Sequence, residues 1–195
     1  MKGMVISATL IAGALLVTAG CESSGTGFDV AAARDSESIE MQIDQKGRLS
    51  EVEYHVAPKS VPQPVQDAMS RLHPSARITG AEREISDGVL YWELSGDIEG
   101  REVEAMFLPD GTLHQEEIQV PMNTVPGPVR ETVRREWPDA VIRAWEEIRD
   151  GKRNVLEYHV KLERNGRRYK LMIAPDGRLG TVVREVPAEV EVPVR

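Results

Sequence analysis

The chain repeats itself, and nothing else in it narrows the possible folds so sharply. Val61-Pro62-Gln63-Pro64-Val65 returns as Val125-Pro126-Gly127-Pro128-Val129, an offset of 64 residues. Without gaps, residues 61–78 and 125–142 agree at 8 of 18 positions: Val61, Pro62, Pro64, Val65, Arg71, Pro74, Ala76 and Ile78. Further along the offset becomes 66, and Met106, Pro109, Asp110, Gly111, Leu113 and Val120 recur as Met172, Pro175, Asp176, Gly177, Leu179 and Val186. A half-length copy lies upstream, where residues 39–56 match 103–120 at Glu40, Gly47, Leu49, Glu53 and Val56. Self-similarity at a fixed spacing means one supersecondary unit used more than once.

Each full unit reads alike. Pro pre-organises the first turn of a helix, so the Pro-rich segments predict helices over about 63–72 and 127–136. Val65, Ala68, Met69 and Leu72 recur at i, i+3, i+4 and i+7, the spacing of one apolar helical stripe. Val129, Val133 and Trp137 play that part in the second copy. His73-Pro74 and Trp137-Pro138 end the helices, because the residue before Pro is pushed out of helical space. Strands follow over 76–85 and 140–148, with turns at Asp87-Gly88 and Asp150-Gly151. The next strand alternates: Leu156, Tyr158, Val160 and Leu162 point one way, and Glu157, His159, Lys161 and Glu163 the other. Leu90, Trp92 and Leu94 take the inner positions in the first copy. Glu99-Gly100 and Asn165-Gly166 turn into a third strand, and the two Pro-Asp-Gly tripeptides into a fourth.

The expected fold class is therefore α+β. Two tandem modules, each a helix plus a four-stranded antiparallel sheet, are preceded by an extra N-terminal β-hairpin. The helix would cover one sheet face and leave the other wet or free for binding. An isolated hairpin is marginal in water, so the one at residues 39–56 is expected to pair with or pack against the first unit.

The N-terminus follows a different logic. Lys2 precedes an apolar run from Met4 to Ala19, then Gly20-Cys21. That is the pattern of a secretory signal peptide, and the run is shorter than the roughly 20 residues of a spanning helix. Val17-Thr18-Ala19-Gly20-Cys21 resembles a bacterial lipobox, which implies lipidation of Cys21 after cleavage, and stable attachment follows from several acyl chains at about 0.8 kcal/mol per buried CH₂. Glu22 points to the periplasmic face of the outer membrane by analogy with enterobacterial sorting. The expected organisation is a signal peptide at 1–20, a flexible tether at 21–38, a first module with its hairpin at 39–122, and a second module at 123–195.

Cys21 is the chain's only cysteine, so neither an intrachain disulfide nor a cysteine zinc site can form. The net charge of −8 repels nucleic-acid phosphate, and no nucleic-acid partner is expected.

The helix, the alternating strands with central aromatics (Tyr91-Trp92, Tyr158) and the terminal hairpins Phe107-Leu108-Pro109-Asp110-Gly111 and Ile173-Ala174-Pro175-Asp176-Gly177 resemble the PepSY-like modules grouped with the β-lactamase-inhibitor-like fold, over roughly residues 39–186. The resemblance implies a non-catalytic domain of exported proteins that binds or restrains peptidases or other envelope proteins. It brings no catalytic residues with it.

The residues themselves agree that no enzyme is expected. His55, His73, His114 and His159 sit in different elements without metal-ligand spacing, so no metal or other cofactor is expected. Glu116-Glu117 and Glu146-Glu147 are adjacent on strands and point to opposite faces, unlike a catalytic pair; they read as a solvated charged face. Ser60, Ser70, Ser75 and Ser95 lack a nucleophile-elbow context. The candidate partner-binding residues are the aromatics Tyr91 and Trp145 and the basic tip Arg164, Arg167 and Arg168. The partners implied are the membrane, through the lipid, and an envelope protein or peptide. A structural or assembly lipoprotein of the envelope is the alternative, and the sequence leaves the oligomeric state open.

Overall fold

The computed structural model describes residues 27–194; the expected signal peptide, Cys21 and the start of the expected tether lie outside the described residues. Among the described residues there are ten strands and three short α-helices: α1 (Val30–Asp35), β1 (Ile39–Ile43), β2 (Leu49–His55), α2 (Gln63–Leu72), β3 (Arg77–Ser86), β4 (Val89–Ile98), β5 (Arg101–Phe107), β6 (Leu113–Gln119), α3 (Gly127–Glu136), β7 (Val141–Asp150), β8 (Val155–Arg164), β9 (Arg167–Ile173) and β10 (Leu179–Arg184). None of the helices described is long and apolar enough to cross a membrane.

Both repeat helices fall where Pro-rich starts and the His73-Pro74 and Trp137-Pro138 stops place them. The tight turns follow local chemistry. Asp87-Gly88, Glu99-Gly100 and Asn165-Gly166 each carry two successive positive φ values, the requirement of a two-residue hairpin whose twist matches its strands.

Two expectations are corrected. The first is the pair of separate four-stranded sheets. All ten strands hydrogen-bond in sequence order as one antiparallel sheet, because β2 pairs with β3 and β6 pairs with β7. Two separate sheets would expose four edges, each a row of unpaired backbone groups; joining them leaves only β1 and β10. The second is the tether, which does not extend to residue 38. The Asp29 carboxylate caps α1 by accepting from the Ala31 and Ala32 amides, both at 3.0 Å, and the Asp29 amide donates to the Tyr54 hydroxyl at 2.6 Å. Phe28 and Ala33 pack with Val52 and Tyr54. The stretch is polar on average, yet it holds an N-cap and one small apolar face that find a partner on β2.

Residues opposite one another in an antiparallel pair share a face. One face of the sheet carries the apolar positions, and the helices cover it. Val61, Val65, Ala68 and Met69 bury Ala81, Leu94, Val103, Ala105 and Phe107. Val125, Val129 and Val133 bury Tyr158, Val160, Leu162, Leu171 and Ile173. Trp92 and Trp145 pack half-buried against these two cores.

The two repeated motifs meet in space. Gly111, the last residue of Pro109-Asp110-Gly111, has φ 86° and lies against the start of α2, where a Cβ would come within 2.5 Å of the Pro64 carbonyl oxygen. Gly177 repeats this at φ 87°, with a Cβ 2.7 Å from the Pro128 oxygen. The Thr132 hydroxyl adds a bond to the Gly177 carbonyl at 2.6 Å. Each Pro-Asp-Gly turn therefore docks on its own helix start, and neither can accept a side chain. Gly177→Ala is expected to lower stability by about 2 kcal/mol or more, read as a fall in the urea midpoint; an unchanged midpoint would show that the turn stands clear of α3.

Candidate functional site

The other sheet face holds the chemistry. Following the register across the strands, it presents Glu40, Glu51, Glu53, His55, Glu82, Glu84, Tyr91, Glu93, Glu104, Glu117, Glu146, Glu157, His159, Lys161 and Lys170. None of the described helices covers it, yet it is not the wet face expected from sequence. Glu84 and Glu146 are each 2% exposed. Lys170 on β9 feels Glu51 and Glu53 on β2, so the sheet curls around these charges and shields part of them from solvent.

The repeat explains how the charges balance. At the repeat offsets, Glu53 and Glu82 recur as Glu117 and Glu146, whereas Glu93, Ser95 and Glu104 are replaced by His159, Lys161 and Lys170. The first unit is carboxylate-rich and the second supplies cations.

The second unit's part is a closed cluster. His159 Nδ1 lies 3.2 Å from Glu117 and Nε2 lies 3.0 Å from Glu157. Carboxylates only accept, so an imidazole between two of them carries both protons. Burial opposes that charge, but the bonds to Glu117 and Glu157 outweigh it and raise the His159 pKa. Lys161 Nζ sits 2.8 Å from Glu146 and 3.3 Å from Glu117. Burial works against ionisation of Glu117, yet His159 and Lys161 hold its carboxyl well below the usual range. Glu146 moves the other way, up to about 8, through burial and the neighbouring Glu117 charge. Such a split leaves one carboxyl of a close pair ionised and the other protonated at neutral pH.

Glu117, Glu146 and His159 offer ligand atoms within 4.8 Å of one another, a donor set that suits a transition metal. β6, β7 and β8 bring these three together from positions far apart in sequence. The Lys161 ammonium already bridges the two carboxyls, however. A metal would have to displace it.

The first unit's part lacks such closure. Burial, with Glu82 and Glu51 beside it, pushes Glu53 up to about 10. Burial and Glu117 raise Glu104 to about 7. Burial raises Glu93 well above the carboxylate range. His55 lies between Glu82 at 3.1 Å and Glu40 at 3.5 Å.

On the opposite, helix-covered side, Glu116 is fully buried and meets His73 Nε2 at 2.8 Å, Arg153 Nε at 3.4 Å and Arg149 Nη1 at 3.6 Å. Glu116-Glu117 and Glu146-Glu147 do point to opposite faces, but the solvated reading is overturned for Glu116 and Glu146, which are among the most buried side chains described.

The candidate partner-binding residues fare differently. Tyr91 stands on the polar face and stacks on His114, with ring centroids 4.6 Å apart. Trp145 faces the other way, where its ring is used in packing the second core. Arg164 lies over the Trp137 ring at 5.5 Å, Arg168 pairs with Glu185 at 2.8 Å, and Arg167 is exposed on β9 opposite Arg164. The basic tip is therefore partly tied down. Ser70 donates to the Gln66 carbonyl of its own helix. The buried carboxylates were missed because each strand alone reads as ordinary alternation. The signal was their shared parity in register, together with the exchange of acid for base between repeats.

Residues 28–99 and 97–181 match the model of a family described as "Putative beta-lactamase-inhibitor-like, PepSY-like". The two segments meet at the turn between β4 and β5, so each begins two strands before the Pro-rich helix start. Among solved structures, the chain is similar to a Bacteroides eggerthii protein described as "putative periplasmic" (TM-score 0.54, 16% identity, covering 64% of this chain and 88% of that one). It is also similar to a DUF2874 family protein of Bacteroides uniformis (TM-score 0.52, 15% identity, 63% and 88% covered). A BLIP-like protein of Bacteroides fragilis matches at TM-score 0.49 with 22% identity, over 69% and 94%. These likenesses concern the fold. No curated protein matches the chain.

Proposed function

The chain belongs to the beta-lactamase-inhibitor-like, PepSY-like family, and on that basis we propose that it is a non-catalytic envelope protein. In this reading it is exported, anchored by lipid on Cys21 to the periplasmic face of the outer membrane, and binds another protein or peptide through its sheet. Restraint of a peptidase is the form of binding that suits such a family best. The observation that carries the proposal is the helix-free polar face. Strands from both units present ordered charges there, while the helices and cores occupy the opposite side. An enzyme needs a poised nucleophile or a carboxyl pair open to substrate. Here the Glu117–Glu146 carboxyl pair is closed by its own lysine and histidine.

Two experiments test this. Radiolabelled palmitate is expected to enter the full chain and not Cys21→Ala; label retained by the variant would rule out the anchor. Affinity capture from envelope extract with the full chain in mild detergent should recover a peptidase or another defined envelope protein in stoichiometric amount. Recovery of a cell-wall or outer-membrane assembly complex would instead favour a scaffolding role.

A further inference from the structure

Among the described residues, one first-unit carboxylate of the polar face stands out as almost wholly removed from solvent and in no ion pair. Glu84, on β3, is 2% exposed, and its Oε1 accepts no hydrogen bond. It lines an open groove of about 320 Å³ together with Glu51, Ser86, Asp87, Tyr91 and His114. The Ser86 hydroxyl lies 3.5 Å from Glu51 and also acts on the Glu84 carboxyl. Tyr91 and His114, stacked at 4.6 Å with 33° between their planes, form a flat aromatic wall.

The repeat makes Glu84 stand out. At an offset of 64 its counterpart is Ile148, which is 1% exposed; at the offset of 66 the counterpart of Tyr91 is Glu157. The same buried position thus accepts an aliphatic side chain in one unit and holds a carboxylate in the other. A buried carboxyl outside any ion pair is unfavourable in the free protein, and stability alone would favour the isoleucine. Departures of this kind concentrate at functional sites.

We propose that this groove receives the guanidinium of an arginine carried on an extended segment of a protein partner. The inference rests on the binding-module reading above and names the chemistry of its partner. A groove of this size, at the small end of ligand pockets, admits one long side chain and no folded element. Three acidic side chains select a cation. The aromatic wall favours a planar guanidinium, which stacks and bonds a carboxylate through two parallel N–H groups, over a compact ammonium. Burial, with Glu51 and Glu82 adding and Lys170 opposing, pushes Glu84 up to about 8, and a guanidinium beside it would restore the carboxylate.

The test is an NMR titration of the full chain in mild detergent with N-acetyl-Ala-Arg-Ala-amide and with its lysine and citrulline analogues. The arginine peptide is expected to bind in the range of about 1 mM, as suits a single anchoring side chain, to shift the Tyr91 ring resonances, and to exceed citrulline at least ~10-fold. Glu84→Gln, checked for unchanged fold by circular dichroism, should lower that affinity ~10-fold or more, and Tyr91→Leu ~3-fold or more. The proposal is overturned if citrulline binds as well as arginine, if Glu84→Gln binds as the parent does, or if calcium displaces the peptide at equal concentration, which would mark an ion site. Capture separates the two readings. A partner held equally by the parent and Glu84→Gln sinks the groove and leaves the binding module standing; arginine-peptide binding with no captured partner does the reverse.

Discussion

Glu116→Ala is expected to lower the unfolding free energy by about 3–5 kcal/mol, the range for removing one partner of a buried ion pair. For a chain of this length that amounts to a fall in Tm of roughly 10 °C or more. Glu116 is fully buried on β6, where it faces His73 at the end of α2, Arg149 on β7 and Arg153 in the turn after it. One carboxylate therefore ties the helix of the first unit to the leading hairpin of the second. Without it, positive and donor groups from both units converge on an empty space. Arg149 and Arg153 are partly solvated, so the loss should sit near the lower end of the range. Urea titration at constant m reads the effect directly, and a double-mutant cycle with His73→Ala should give a coupling above about 1 kcal/mol. A loss below about 1 kcal/mol would mean that this contact is worth no more than a surface pair.

A second large effect is expected with pH. Glu84 and Glu146 are raised to about 8 and Glu104 to about 7, from an ordinary 4.5. For such groups the folded chain keeps a proton that the unfolded chain releases. Their contribution is fully present below pH 4.5 and is lost as pH rises through the folded values. Glu117 is lowered, so its contribution is present above 4.5 and lost as pH falls. Stability should therefore peak in mild acid, near pH 4.5, and decline as pH rises toward 8. Glu84 alone accounts for a share on the order of 4 kcal/mol at pH 9, because each tenfold change in proton affinity is worth about 1.36 kcal/mol. Glu84→Gln keeps the shape of the protonated carboxyl and cannot ionise. Its Tm is expected to match the parent near pH 4 and to exceed it by about 10 °C at pH 9. Equal thermal melts of parent and variant at pH 9 would show that water reaches the Glu84 carboxylate. If the same substitution also abolishes arginine binding, Glu84 exchanges stability for recognition, the usual relation at a functional position.

Much of the fold was legible because its signals are local. Pro62 and Pro126 start helices, Pro74 and Pro138 stop them, and Asp87-Gly88 and Asn165-Gly166 adopt the backbone that their hairpins require. These effects act within a few residues, so a repeat in sequence becomes a repeat in elements. The α1 segment was illegible for the opposite reason. Asp29 and Ala33 matter only because Tyr54 and Val52 lie across from them, and nothing near residue 30 announces β2.

The polar face marks the same divide. Alternation assigns Glu117, Glu146, His159 and Lys161 to the face away from the core, and the folded chain places them there. Alternation has a period of two residues and no information about what lies beyond a strand's own edge. Whether a face is wet or enclosed depends on how far the sheet curls and on which strands pair, and these are settled by β2 joining β3, β6 joining β7 and β9 approaching β2. The repeat, the turns, the helix limits and the side of the sheet on which each residue stands can all be read along the chain. That two units share one sheet, that Glu84 and Glu116 are buried, and that Glu84 stands in no ion pair emerge only on folding, because burial and electrostatic partnership come from groups distant in sequence.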